Sequence, residues 1–294
     1  MIAPARGSAA SALVAGKKWR TALGTYAGFV VFVVVFLLPV YWILLSSVLP
    51  RNKLLSSPPT YFSLQLTLDN YQRTVQQIPL LLYLRNSLIF GLGSAALSVT
   101  VSLLAAYAFA RLRFRGSNVV LLFFLLSMAL PQIATTIPLF QLFQALRLVN
   151  TQQGLILLEG SLLTPFTVWT LISFIKQVPL ELEEAARIDG ANLMQAIWLV
   201  LIPLVRPALV TMFIVNFIVT WNELFYPLVF ATQSSTQPLT IGLVQLTQQN
   251  MGAGASRPWD LMSTLSAVMI VPVLIIVVIA QRGIVAGLTR GAGK

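Results

Sequence analysis

Four long apolar stretches of this chain contain no charged residue, and they constrain the fold more than any other feature of the sequence. The longest covers residues 116–146. An α-helix needs about 20 predominantly apolar residues to cross the hydrocarbon core of a bilayer. Two further apolar runs each carry a single acid, Glu159 and Glu223. The sequence therefore predicts an all-α membrane protein with six transmembrane helices, near residues 25–48, 86–110, 118–142, 155–175, 205–230 and 261–281.

The composition agrees with a membrane protein and excludes several kinds of chemistry. Hydrophobic residues make up 57% of the chain and charged residues only 9%, against about 25% charged residues in a soluble domain. The absence of cysteine and histidine removes disulfides, thiolate metal sites and the commonest general base. No phosphate-binding sequence of the G-x-x-x-x-G-K-[ST] type occurs, so we expect this chain not to hydrolyse ATP. We predict a chain that is not an enzyme and has neither a metal site nor a cofactor of its own.

The basic residues indicate how the chain is oriented in the membrane. With six spans both termini lie on one side, and 13 of the 19 Lys and Arg residues fall in the segments of that side. Because cytoplasmic loops carry the excess of Lys and Arg, we expect both termini in the cytoplasm. The charges are scattered between apolar runs, which argues against nucleic acid as a partner. We predict cytoplasmic tails at 1–20 and 284–294 around a six-span domain at 21–283.

Prolines and small residues indicate where the spans bend and where they approach each other. A proline inside a helix removes a backbone donor and tends to kink it, although membrane bundles also tolerate such irregularities. The small residues of GLGSAALS, from Gly91 to Ser98, would let a neighbouring helix approach closely. We expect kinks, either as packing irregularities or as points of movement, at Pro39, Pro131, Pro138, Pro165, Pro227 and Pro272.

Half of the acidic residues lie in one short polar segment between the fourth and fifth predicted spans, at 181–189. Pro179 favours a helix that begins directly after it, and the positive end of a helix dipole stabilises carboxylates in the first turns. Gly190 can adopt the left-handed backbone that turns a chain. We interpret 178–204 as a short amphipathic helix, a glycine turn and a second helix that enters the membrane near Trp198. The alternative is an ordinary solvated helix at the interface.

Two local features of this segment bear on its packing. Glu183 and Arg187 are four residues apart, in the order that favours an ion pair on a helix. Ala185 and Ala186 are small enough for another surface to come close. These residues alone leave open whether Glu183 contacts a partner or only keeps the helix soluble, and the same holds for Glu181.

Three short motifs point to a known family. The first motif is Glu184-Ala185-Ala186, followed by Gly190 and then by Val200-x-Ile202-Pro203. The second is LTLDNYQ, from Leu66 to Gln72, and the third is the final stretch QRGIVAGLTRGAGK. The first motif resembles the EAA loop of binding-protein-dependent ABC transporter permeases, with V-x-I-P where that family has I-x-L-P. All three are similar to the sugar-importing, maltose-type (MalG-like) branch. The resemblance covers nearly the whole chain after about residue 20 and implies the type I ABC importer permease fold.

The resemblance also implies a mechanism and a set of partners. In such importers the EAA segment is a coupling helix that docks on a cytoplasmic ATPase subunit, and ATP-driven closure switches the spans between inward-facing and outward-facing states. The chain would pair with a second, different (MalF-like) permease, two ATPase subunits that bind ATP and Mg, and an extracytoplasmic solute-binding protein at the cell inner membrane. The docking residues would be Glu184, Ala185, Ala186, Arg187, Asp189 and Gly190.

The fifth predicted span contains a cluster of polar and aromatic residues that suits a sugar. Aromatic faces stack on sugar rings and amide groups bind hydroxyls, and an ionisable residue within a span is a functional candidate. The alternative is an aromatic belt at the interface, with an acid that faces the outer water. We expect Glu159, by contrast, to be structural or at the outer interface. The candidates for the solute pathway are Asn216, Trp221, Asn222, Glu223 and Tyr226.

The predicted outer segment 231–258 is rich in Gln, Ser, Thr and Gly. The resemblance implies that a loop at this place reaches into the solute-binding protein, and the alternative is an irregular polar loop. The candidate contacts are Gln245, Gln248, Gln249 and Asn250.

The transported solute follows from the resemblance only as a class, namely a di- or oligosaccharide, a polyol or a related compound. An importer of glycerol phosphate or another non-sugar solute is the alternative, followed by a stand-alone secondary transporter. An intramembrane protease is disfavoured, because the chain has no histidine and its Asp residues all fall outside the predicted spans.

Overall fold

The computed structural model describes residues 8–112, 114–249 and 257–291, with side chains at 24–112, 114–248 and 257–279. All regular structure within these ranges is helical. The chain divides into two compact units, one of residues 1–71 and 259–267 and one of residues 72–258 and 268–294. The helices are α1 (Ser8–Val48), α2 (Arg51–Leu54), α3 (Asp69–Gln77), α4 (Leu80–Arg111), α5 (Ser117–Ser127), α6 (Gln132–Ala145), α7 (Gln152–Lys176), α8 (Leu180–Ile188), α9 (Leu193–Gln195), a π-helical segment (Ala196–Leu201), α10 (Ile202–Trp221), α11 (Phe225–Phe230), α12 (Leu239–Gln249) and α13 (Trp259–Gly291).

The first unit is built on α1, which continues through the described part of the predicted N-terminal tail. Its portion Gly24–Val48 is long and apolar enough to span a membrane, and most of that portion is exposed. The buried amide of Asn70 donates hydrogen bonds to the carbonyls of Ser47 at 3.1 Å and Leu49 at 2.8 Å. The last carbonyls of a helix have no partner within it, so Asn70 completes the end of α1.

The second unit is centred on α4, which packs along α7 and α10. A Cβ atom added to Gly91 would lie 2.8 Å from the ring of Phe217, and one added to Gly93 would lie 2.6 Å from Ile156. Small residues allow such close approach of membrane helices. The close packing predicted from GLGSAALS is therefore confirmed.

The predicted third span is wrong as a single helix. Within the described residues five helices are long and apolar enough to cross a membrane, and a sixth span results only if α5 and α6 are counted together. These two helices are bent by 102° at a short break. Pro131 stands at the start of α6 with an extended backbone, and proline cannot supply the N–H that would continue α5.

The predicted fifth span, 205–230, is also divided. α10 ends at Trp221, and α11 is a separate short helix that contains Pro227. The side-chain amide of Asn222 donates to the carbonyl of Ile218 at 2.7 Å, which satisfies one of the last carbonyls of α10. Of the other prolines expected to kink spans, Pro39, Pro138, Pro165 and Pro272 lie inside helices, and Pro207 also lies inside α10.

Candidate functional site

The polar segment between α7 and α10 forms a short helix with a closed end. α8 begins after Pro179, as the sequence predicts, and Gly190 has a φ of 94°. The N–H of Ala191 bonds to the carbonyl of Ala186 at 2.9 Å, and the N–H of Gly190 bonds to that of Arg187 at 3.0 Å. This pair of bonds is a Schellman motif, in which a left-handed residue, usually glycine, ends the helix. Gly190 therefore fixes where α8 stops.

A second cap follows at once and leads the chain into the membrane. The Asn192 side chain accepts a 2.9 Å bond from the N–H of Gln195, and the Gln195 side chain accepts a 2.8 Å bond from the N–H of Asn192. This capping box starts the helical path that continues through the π-helical segment into α10. Ile197 and Leu201 of the π-helical segment are buried in a cluster with residues of α4 and α7. The segment after α8 is therefore packed into the bundle.

α8 presents two different faces. Glu183 is only 1% exposed, whereas Glu184 and Ala185 are exposed. Ile188, one turn after Glu184, is 86% exposed although it is apolar. Helical geometry places Glu184, Ala185 and Ile188 on one side, and we call them the outer face of α8. Of the other predicted docking residues, Ala186 is half-buried, and Arg187, Asp189 and Gly190 are exposed.

The inner side of α8 is tied to the end of α4 by a buried ion pair. Arg111 Nε donates to Glu183 Oε1 at 2.8 Å, and the Tyr107 hydroxyl donates to Glu183 Oε2 at 3.0 Å. Arg111 also donates to the carbonyl of Val178 at 2.8 Å, and Arg187 donates to the Tyr107 hydroxyl at 3.4 Å. The carboxylate of Glu183 thus joins α8 to α4. No motif in the sequence indicates these roles of Arg111 and Tyr107, because both lie more than 70 positions before Glu183.

A cavity of about 640 Å³ lies within the second unit, between the broken α5–α6 pair, α7 and the end of α10. Two of the predicted pathway residues, Glu223 and Tyr226, line it, and so does Glu159. Glu223 Oε1 accepts a 3.1 Å bond from the N–H of Tyr226, which fixes the turn between α10 and α11. The remaining polar lining comes from Ser127, Gln132, Thr135 and Ser161.

The other three predicted pathway residues do not line this cavity. Asn216 is buried, and its side-chain amide donates to Ser98 at 3.1 Å and to Thr167 at 3.0 Å, so it links α10 to α4 and α7. Trp221 is buried, and its indole N–H donates to the carbonyl of Met269 at 3.0 Å. Asn222 is exposed and ends α10. Their geometry is that of packing and capping residues.

The outer segment contains the helix α12 rather than only an irregular loop. Gln245 points back into the second unit, where its side chain bonds to Gln237 at 2.8 Å and to the Tyr83 hydroxyl at 2.9 Å. Gln248 is exposed near the end of α12. Gln249 is the last residue of that helix, and Asn250 lies outside the described residues.

The described residues contain no group of three or more Asp or Glu side chains that could hold a metal ion. The candidate functional features of the described residues are α8 with its buried ion pair, the cavity lined by Glu159 and Glu223, and the exposed end of α12.

Comparison with known proteins identifies the family. A family described as binding-protein-dependent transport system inner membrane component matches residues 98–290. The sulfoquinovosyl glycerol transport system permease protein SmoH of Agrobacterium fabrum is 36% identical over 258 residues, which cover 88% of this chain and 89% of that protein. The trehalose/maltose transport system permease protein MalG of Thermococcus litoralis is 32% identical over 271 residues, with coverage of 91% and 95%.

The fold also has a solved counterpart. A chain from the crystal structure of a bacterial ABC transporter involved in the import of the acidic polysaccharide alginate matches with a TM-score of 0.75 and 22% sequence identity. The match covers 96% of this chain and 99% of that chain. The polytopic helical fold is thus that of an ABC importer permease, and this chain belongs to the family of inner membrane components of binding-protein-dependent transport systems.

Proposed function

We propose that this chain is the permease subunit of an ATP-driven ABC importer that moves a carbohydrate, delivered by a solute-binding protein, across the cell inner membrane. The support for a carbohydrate comes from the relatives, which are named for sulfoquinovosyl glycerol and for trehalose/maltose. The support for a solute-binding protein comes from the description of the family.

The observation that carries the coupling role is the division of α8 into a buried side and an exposed side. Glu183 anchors the helix to α4, so that Glu184, Ala185 and Ile188 face outward. The 86% exposure of Ile188, an apolar residue on a short polar helix, supports a contact surface for another protein on this face. We propose that the outer face of α8, together with Ala186, Arg187, Asp189 and Gly190, docks on a cytoplasmic ATPase subunit.

Movement of α8 would reach the membrane by two routes. One is the ion pair between Glu183 and Arg111, which joins α8 to α4. The other is the π-helical segment Ala196–Leu201, which continues into α10. The breaks between α5 and α6 and between α10 and α11 are the points at which spans can hinge around the cavity. Alternating access of that cavity is the proposed transport mechanism.

The importer needs partners that supply what this chain lacks. Two ATPase subunits would bind ATP and Mg and carry out hydrolysis, and a second, different permease would complete the transport path. Both termini would lie in the cytoplasm, with tails at 1–20 and 284–294 and the permease domain between them. On the opposite side, Gln248 and the neighbouring Gln249 and Asn250 would contact the solute-binding protein, while Gln245 holds α12 in place.

Co-purification with the ATPase tests this proposal. Ile188→Glu should abolish recovery of the ATPase subunits with the affinity-tagged chain, because a charge replaces the apolar centre of the outer face. Leu112→Glu is the matched control, since Leu112 is also an exposed apolar residue but lies at the end of α4. Both variants should insert into the membrane at normal levels.

Two results would count against the proposal. Recovery of the ATPase with Ile188→Glu at the wild-type level would remove α8 as the docking site. Recovery of no ATPase with the wild-type chain, together with solute uptake that needs no ATP, would favour a stand-alone secondary transporter.

A further inference from the structure

A buried carboxylate with an unpartnered oxygen lies in the wall of the cavity. Glu159 is 4% exposed, and its Oε2 atom has no hydrogen-bond partner among the described residues. A buried polar group without a partner costs free energy, and ionisable residues within membrane segments usually mark solute pathways or ion sites. Glu159 is therefore suited to a ligand that brings hydrogen-bond donors or positive charge.

A second carboxylate shares this cavity. Glu223 also lines it, so two acidic side chains face the same space. None of the described residues that line the cavity is Lys or Arg. An anionic solute in this cavity would therefore meet two acidic side chains and no basic side chain to pair with.

The rest of the lining suits a ligand rich in hydroxyl groups. Gln132, Thr135 and Ser161 offer both donors and acceptors. Carboxyl oxygens accept hydrogen bonds, which matches the hydroxyl donors on a sugar ring. The cavity volume of about 640 Å³ lies within the range of roughly 300–1,000 Å³ that is typical of small-molecule sites.

We propose that Glu159 and Glu223 form a solute-selecting pair, and that the transported carbohydrate is uncharged or cationic rather than phosphorylated or carboxylated. This inference rests on the proposed function, because it takes the cavity as part of the transport path. A pair of acids disfavours glycerol phosphate, which is the alternative solute that the resemblance left open. Glu159 lies on α7 and Glu223 lies between α10 and α11, so a movement at that break would change the spacing of the pair.

The first arm of the test identifies the charge class of the solute. The cognate solute-binding protein is screened by thermal shift with trehalose, maltose, the glucosamine disaccharide, the galacturonate disaccharide and glycerol 3-phosphate. ATP-dependent uptake of each hit is then measured with the complete transporter in vesicles. We expect binding and uptake of uncharged or cationic sugars only.

The second arm tests Glu159 itself with the transported solute. Glu159→Gln keeps the size of the side chain but replaces its carboxyl group with an amide, and it should raise the KM for uptake about tenfold or more, as expected for the loss of hydrogen bonds to the carboxyl oxygens. Glu159→Asp keeps the carboxyl group and should retain most of the affinity. Asp69→Asn removes an exposed acid of α3 outside the cavity and should leave KM unchanged.

The outcomes separate this inference from the proposed function. If the wild-type transporter takes up the galacturonate disaccharide in preference to neutral sugars, the inference is overturned, but the proposal of carbohydrate import still holds. Uptake of glycerol 3-phosphate in preference to every sugar overturns both. An unchanged KM in Glu159→Gln, with normal assembly and thermal stability of the complex, overturns the role of Glu159 alone.

Discussion

Replacement of Glu183 with alanine is expected to loosen α8 from the end of α4, because it removes one partner of a buried ion pair. The bonds from Arg111 Nε at 2.8 Å and from the Tyr107 hydroxyl at 3.0 Å are both lost. Breaking a buried pair in this way costs about 3–5 kcal/mol. The Arg111 side chain is 10% exposed and keeps its bond to the Val178 carbonyl, so we expect the lower end, about 3 kcal/mol.

A loss of this size shifts the ratio of docked to undocked α8 by roughly a hundredfold. Hydrogen exchange of the backbone amides of α8, measured on the complete transporter in lipid nanodiscs, reports that ratio directly. The exchange should accelerate by about the same factor in Glu183→Ala. Glu181→Ala is the matched control, because Glu181 is an exposed acid on the same helix, and it should change stability by no more than about 0.5 kcal/mol.

A double-mutant cycle separates the pair from its surroundings. Arg111→Met alone leaves Glu183 buried without its cation and should be as harmful as Glu183→Ala. The double variant Glu183→Leu with Arg111→Met should be much less harmful than the sum of Glu183→Leu and Arg111→Met measured singly, since an apolar pair can replace a buried ion pair. Additive effects, or equal exchange rates in Glu183→Ala and Glu181→Ala, would refute the assignment of Glu183 as the anchor.

Three further predictions concern backbone strain and helix packing. Gly190→Ala places a side chain on a left-handed backbone at a cost of about 1–2 kcal/mol and should lower ATP-coupled uptake. Gly116→Ala is the control, because Gly116 has a similar φ of 86° and equally open surroundings, and it should not lower uptake. Equal uptake by the two variants would contradict the role of the turn at Gly190. Asn216→Ala removes two buried hydrogen bonds between helices and should lower stability in detergent by about 1–2 kcal/mol, measured by thermal unfolding, and an unchanged Tm would show that these bonds contribute nothing net. Gly91→Ala should destabilise by about 1–3 kcal/mol through overpacking against Phe217, and Phe217→Leu should relieve that loss if the ring is its cause.

The local features of the polar segment 178–204 could be predicted because short-range chemistry determines them. Pro179 starts α8 and Gly190 ends it, as the properties of these two residues indicate. The close approach at Gly91 follows in the same way from the size of the residue. In each case the neighbouring sequence already contains the cause.

The longer-range features could not be predicted for a physical reason in each case. The run 116–146 is apolar throughout, and hydropathy does not register the 102° bend within it. The spacing of Glu183 and Arg187 indicates a helical ion pair, but tertiary packing brings Arg111, 72 positions away in sequence, to Glu183 instead. Glu159 and Glu223 are 64 positions apart in sequence, so only tertiary packing brings them to the same cavity.

The two caps between α8 and α9 have an evolutionary consequence. The Schellman motif at Gly190 and the capping box at Asn192 satisfy both helix ends with bonds inside the segment itself. The shape of the segment therefore does not depend on which side chains project from its outer face. If the outer face docks on an ATPase as proposed, substitutions at Glu184, Ala185 and Ile188 would change which ATPase the chain accepts without altering the helix ends that hold the segment in place.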